Sequence, residues 1–266
     1  MKQTLAQLLR RLGLIYFVDF LRYRMAATQA RDQNQAFRKQ HPSLALPEPY
    51  MIYETFRMDY ARYYTSGRET ATEILQAVAS FTDLRGKVIL DWGCGPGRVI
   101  RHFPALLPDT RCYGSDYNPA YVRWCAANLP EIHFEPNGLT PPLPFADQQF
   151  ALVYALSIFT HLSEENHFLW MQEILRVLEV GGLFYFTTHG QITRQNLLPA
   201  EQEQFDSGKP VIRGQVKEGH RMYATYHPES FVKSLFEGRA TLMQHAPGTP
   251  QSWGLQQDVW IIRKDR

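Results

Sequence analysis

From residue 88 onward, short apolar runs alternate with stretches of helical period. The runs cover residues 88–91, 111–116, 132–135, 150–157 and 183–188. They are short and rich in Val, Ile, Leu and Phe, as strands buried on both faces are. Between them, Asn118 followed by Pro119 reads as an N-cap with proline at the first helical position. Ser163 with Glu164 and Glu165 starts another helix, whose Phe168, Met171, Leu175 and Leu178 recur at core-facing spacing. Pro228 opens one more short helix, and residues 241–245 and 258–262 supply two last strands around a loop bearing Pro and Gly. The alternation predicts an α/β fold: a Rossmann-like, seven-stranded, mostly parallel sheet with helices on both faces.

The first 64 residues follow another pattern and are expected to form an N-terminal helical arm, with the main domain over residues 65–266. Leu5, Leu8, Leu9, Leu12, Ile15 and Tyr16 recur at helical spacing and predict an amphipathic helix. The apolar run behind Arg10 and Arg11 differs from a secretory signal, because Asp19 interrupts it and Arg22 and Arg24 stand where cleavage would approach. Residues 41–49 hold three prolines and link the arm to a second helical stretch over 67–81, where Ile74, Leu75 and Val78 form the stripe.

Composition narrows the class. With 266 residues, 44% apolar and 20% charged, the chain can bury a sizeable core without disulfide or metal staples. Cys94, Cys112 and Cys125 are odd in number and include no C-x-x-C pair, which suggests a reducing, cytoplasmic setting and no metal site. Charge is uneven: residues 1–40 carry eight basic and two acidic side chains, whereas the remaining residues carry a slight acidic excess. The body therefore offers no positive surface for a long nucleic acid. The basic arm has two readings, a lid packed on the main domain, which is favoured, or a weak membrane-peripheral contact with anionic lipid.

The segment from Val88 to Val99 carries the most chemical information, since a buried strand ending in Asp91 runs into Gly93-Cys94-Gly95-Pro96-Gly97 and then a helix. Such a turn lets backbone approach a ligand, and the helix start presents free N–H groups. A nicotinamide site would want its third glycine where Arg98 stands, and a phosphate loop would want Gly-Lys-Ser/Thr, which is absent.

Asp-Trp-Gly-Cys-Gly-Pro-Gly-Arg after three aliphatics resembles the first motif of class I S-adenosylmethionine-dependent methyltransferases, and three further blocks extend the resemblance over residues 64–266. Gly114-Ser115-Asp116-Tyr117 ends the second strand with the acid that in this family receives the ribose hydroxyls. Asn137-Gly138-Leu139 falls where the family often has an acid reading the adenine amino group; Asn137 keeps an acceptor oxygen without the charge. The block from Leu143 to Leu162 resembles the fourth-strand region, with Ala151 in place of the usual aspartate and Ser157 near the cofactor. Ser66-Gly67-Arg68 resembles a pre-domain element of a bacterial small-molecule and glycan subgroup, in which Arg68 would pair with the cofactor carboxylate; a plain surface arginine is the other reading.

The resemblance implies S-adenosyl-L-methionine as cofactor, held by Arg68, Asp91, Gly93, Cys94, Gly95, Gly97, Asp116, Tyr117, Asn137, Gly138, Leu139 and Ser157. Methyl transfer from a sulfonium is an in-line displacement, so the protein supplies alignment, water exclusion and, for a hydroxyl nucleophile, a base. His161 after the fourth strand and His189 after the fifth are the candidate bases. An insert around residues 190–227 carries His220, Tyr223 and Tyr226; with His245 and Trp253 these are candidates to stack on and hydrogen-bond a polyhydroxylated acceptor. No Asn-Pro-Pro-Tyr of amino and amide methyltransferases follows the fourth strand, so O-methylation of a small molecule, sugar or lipid-linked acceptor is expected. The alternative is a catalytically silent cofactor-binding or scaffold protein, which Asn137 and Ala151 keep open.

Overall fold

A computed structural model describes residues 13–252 and 254–266. Leu5, Leu8, Leu9, Leu12 and Trp253 therefore lie outside the described residues. Among the described residues four helices come first: α1 (Ile15–Gln29), α2 (Arg31–Gln40), α3 (Pro49–Thr55) and α4 (Tyr60–Val78). Helix α4 starts at an Asp59 cap and runs unbroken through residue 64, so the boundary expected there falls inside a helix.

The strands then appear in the expected order: β1 (Val88–Trp92), β2 (Arg111–Asp116), β3 (His133–Pro136), β4 (Phe150–Ala155) and β5 (Leu178–Thr188). Short α5 (Phe103–Leu106) precedes β2, α6 (Pro119–Asn128) precedes β3, and α7 (Glu164–Val177) precedes β5. Asn118 caps α6 by accepting from the Ala120 N–H at 3.0 Å, and Ser163 caps α7. Helix α7 ends at Val177, so Leu178 enters the strand instead of closing the helical stripe, and Phe168 stays largely exposed. Strand β5 begins five residues earlier than its apolar run suggests. Gly182 permits this, because a Cβ there would stand 3.0 Å from the Phe150 carbonyl oxygen.

The insert holds α8 (Pro199–Asp206) and a small antiparallel pair, β6 (Val211–Arg213) with β7 (Ala224–Tyr226). After α9 (Glu229–Phe236) come β8 (Ala240–Ala246), the short β9 (Pro250–Gln251) and β10 (Gly254–Leu255), and β11 (Asp258–Lys264). The large sheet has seven strands in the order β3-β2-β1-β4-β5-β11-β8. Strands β1 to β5 pair parallel, and β11 runs antiparallel to both β5 and β8.

Alternation along the central strands builds two cores. On β1, Ile89 joins Ile74 and Val78 of α4 on one face, while Leu90 and Trp92 join Trp170 and Ile174 of α7 on the other. Strand β5 splits the same way, Leu183 and Tyr185 against Phe184 and Phe186. Both faces are thus dry, which is why the strands read as continuous apolar runs. No helix among the described residues is long and apolar enough to cross a membrane.

Candidate active site

In an open parallel sheet the strand order reverses between two central strands, and the crevice at their carboxyl ends is where ligands settle. Here the reversal lies between β1 and β4, and a cavity of about 220 Å³ opens there. Asp91 at the end of β1 and Asp116 at the end of β2 both line it. The β1 end reaches the short helical turn Ile100–His102 through the glycine turn, where Gly93 has φ +77° and Gly95 φ +52°. At Gly93 a side chain would also run into Ile158, its Cβ only 2.1 Å from Cδ1.

Both carboxyls are buried, and each accepts hydrogen bonds from the protein. Asp91 accepts from the Tyr154 hydroxyl at 2.9 Å, and burial pushes it up to about 7 against the pull of that bond and of Arg98. Asp116 accepts from the Asn118 N–H at 2.8 Å and the Gly95 N–H at 2.9 Å, yet burial pushes it up to about 6. Each Asp116 oxygen thus keeps acceptor capacity facing the cavity, an arrangement that fits a vicinal diol. Arg98 and Arg221 are the arginines that line this cavity, and the Arg98 guanidinium stacks on Phe56 and donates to Ser66 Oγ at 3.3 Å. The cavity thus presents arginines at Arg98 and Arg221 and carboxyls at Asp91 and Asp116 to a ligand.

Arg68 is not brought to the cavity. It sits exposed on the outer side of α4, in a shallow surface hollow with Tyr64, Glu69 and Glu73. The neighbouring residues explain the motif differently, for Ser66 holds Arg98 and Gly67 lets α4 lie against the Arg98 backbone. A Cβ on Gly67 would stand 2.1 Å from the Arg98 carbonyl oxygen. Gly67→Ala should therefore destabilise the protein by ~1–3 kcal/mol through overpacking and lower Tm by several degrees in a calorimetric scan; an unchanged Tm would show that α4 shifts freely.

Gly93, Cys94, Gly95 and Tyr117 line the main cavity, as does Ser157, whose hydroxyl is engaged by Thr160 and Gln257. Gly97 stands behind the turn, its missing Cβ making room for Leu129 and Cys125. Asn137, Gly138 and Leu139 line an adjoining apolar hollow together with Trp92 and Ile158. The Asn137 side-chain oxygen already accepts from Ser115 Oγ at 2.6 Å, and one of its lone pairs remains. Cys94 is buried with its thiol pushed well above the usual range by Cys125 and burial, which leaves it inert as a nucleophile.

The two candidate bases part company. His161 lines both hollows, and its Nδ1 lies 2.7 Å from the Tyr223 carbonyl oxygen. A carbonyl only accepts, so Nδ1 carries the proton and Nε2 is the basic nitrogen of the neutral ring. Burial lowers its pKa. His189 lines neither hollow; its Nδ1 faces the Thr225 carbonyl at 3.1 Å and its ring lies against Tyr226. Of the acceptor candidates, His220 lines the cavity, with Nδ1 accepting from the Met222 N–H at 3.1 Å, so its Nε2 is a donor. Tyr223 contributes its carbonyl to His161, Tyr226 joins a small core under the insert, and His245 is tied to Asp258 at 2.9 Å beneath a stack on Trp260. None of these three reaches the cavity.

Several lining residues carried no sequence signal. Glu54 accepts from the Tyr121 hydroxyl at 2.5 Å, and Arg221 pairs with Asp19 of α1 at 2.9 Å while covering the Tyr53 ring. The Tyr16 hydroxyl accepts from the Lys217 N–H at 2.9 Å. Helix α1 thus grips the segment, residues 217–221, that forms one wall of the cavity.

Residues 89–182, the stretch holding the glycine turn and both carboxylates, match the family model described as a methyltransferase domain. This stretch of the chain is a methyltransferase domain. The chain's fold is similar to that of a SAM-dependent methyltransferase from Methanosarcina mazei, at a TM-score of 0.56 and 17% identity, covering 71% of this chain and 96% of the other. In sequence, the methyltransferase domain is 30% identical over 110 residues to a probable phthiotriol/phenolphthiotriol dimycocerosates methyltransferase 2 of Mycobacterium ulcerans, across 41% of this chain and 42% of that one. It is 26% identical over 117 residues to a fatty-acid O-methyltransferase of Mycolicibacterium smegmatis, across 43% and 42%. The chain spans less than half the length of these curated relatives.

Proposed function

We propose that this protein transfers the methyl group of S-adenosylmethionine to a hydroxyl oxygen of a small or lipid-linked acceptor, with His161 as general base. The observation that carries the reading is the pairing, in one cavity, of two buried carboxyls with a histidine whose Nε2 is left basic by the Tyr223 carbonyl. S-adenosylmethionine supplies an electrophilic methyl on a sulfonium, so the barrier left to the protein is alignment and proton removal. Asp116 would hold the ribose diol, Asp91 the ammonium and Arg98 the carboxylate. Asn137 and Leu139 border the base. His220, a donor at Nε2, orients the acceptor oxygen, and His161 removes its proton.

Two of the curated relatives support a lipid-linked acceptor, since their names specify dimycocerosates and fatty acids as the methylated molecules. Acceptor class and base are linked: a carboxylate is already ionised and needs no base, whereas a hydroxyl does. The pH–rate profile tests this. His161 must be neutral to act, and burial lowers its pKa. The rate with a hydroxyl acceptor should therefore hold down to a pH below histidine's usual ~6.5 and fall on further acidification. A flat profile in that range would remove His161 as the base.

A further inference from the structure

Helix α1 presents two different faces. One carries Ile15 and Asp19, which are buried, and Tyr16, and it holds the cavity wall. The opposite face carries Phe17, Leu21 and Met25 four residues apart, continued at the N-cap by Leu14, and all four are exposed, Phe17 at 61% and Met25 at 62%. Arg22 and Arg24 fall on either side of this stripe at 100° per residue, both exposed and without an acidic partner among the described residues. Phe20, also exposed, lies beyond Arg24 on the side toward Tyr16. Asp19, the acid of this helix, is withdrawn from the open face by its pairing with Arg221.

We propose that this face of α1 docks on an anionic lipid surface, the apolar stripe entering the acyl boundary and the arginines meeting headgroup phosphates. An apolar row rimmed by arginines is the chemistry of an interfacial helix. A second copy of the chain fits worse. Twelve positions from Leu14 to Met25, ~17 Å along one helix face, supply far less than the ~800 Å² per partner that a stable interface buries. A symmetric pairing would also bring like-charged arginines together. Because Tyr16 and Asp19 tie the same helix to residues 217–221, docking sets the cavity wall beside the membrane. The docking stands on the helix surface alone and does not depend on the methyl-transfer reading.

Co-sedimentation with vesicles of phosphatidylglycerol and phosphatidylcholine in equal parts tests this. The protein should pellet with these vesicles, remain in solution with phosphatidylcholine alone, and be released at ~1 M salt, where the Debye length is ~3 Å. Phe17→Ser with Leu21→Ser, and separately Arg22→Glu with Arg24→Glu, should each weaken vesicle binding by about tenfold or more while S-adenosylhomocysteine binding stays unchanged. Failure of the wild type to pellet would overturn the proposal, as would variants that pellet like wild type. A concentration-dependent dimer that the Phe17/Leu21 variant loses, with no vesicle binding, would assign the face to a second copy.

Discussion

Replacing His161 with glutamine should lower kcat on a hydroxyl acceptor by ~10²–10⁴, the usual worth of a positioned base. Cofactor affinity should stay at the wild-type value. The ring's Nδ1 is held by the Tyr223 carbonyl and its Nε2 is the basic atom, so glutamine keeps polarity and loses the proton acceptor. His189→Gln provides the contrast, since His189 faces the Thr225 carbonyl outside the cavity and should leave kcat near wild type. If both variants turned over at the wild-type rate, proton removal would belong to another group.

Replacing Asp116 with alanine should weaken S-adenosylhomocysteine binding by about a hundredfold in a calorimetric titration. Two charge-assisted hydrogen bonds to the ribose at ~1.5–3 kcal/mol each are at stake, partly offset by water. Asp116 also accepts the Gly95 and Asn118 N–H groups, so alanine additionally loosens the glycine turn. Asp116→Asn separates the effects by keeping one acceptor oxygen, and should lose about tenfold. The pH dependence has a definite sign. Burial sets the free carboxyl at about 6, and a diol binds the ionised form, so affinity should decline as pH falls through that value. An alanine variant binding like wild type would displace the ribose from Asp116.

The residues legible in the sequence are those whose chemistry and backbone coincide. Asp91 and Asp116 end buried strands, and strand ends at the β1/β4 reversal must open on the crevice, so a linear motif sufficed to locate them. Arg68 shows where adjacency misleads. In a helix the next residue is turned by about 100°, so Gly67 meets the Arg98 backbone while Arg68 points away. Arg98 itself sits in the glycine motif, yet its role depends on Ser66 and Phe56, which only the tertiary packing brings near. His161 and His189 both follow strands and looked equivalent. They differ in which carbonyl of residues 223–225 each one faces, and that is fixed by the path of an insert with no strong periodicity. Helix α1 is apolar around most of its circumference, so spacing alone did not separate the gripping face from the open one.

Incubating the protein with methyl-labelled S-adenosylmethionine and fractionated hydroxyl- and carboxyl-bearing lipids and metabolites tests the central claim most directly. Label should appear in a hydroxyl-bearing fraction, strongly reduced with Asp116→Ala at limiting donor and reduced about a hundredfold or more with His161→Gln. Tight binding of the donor with no label passed to any fraction would contradict it and leave a silent cofactor-binding protein.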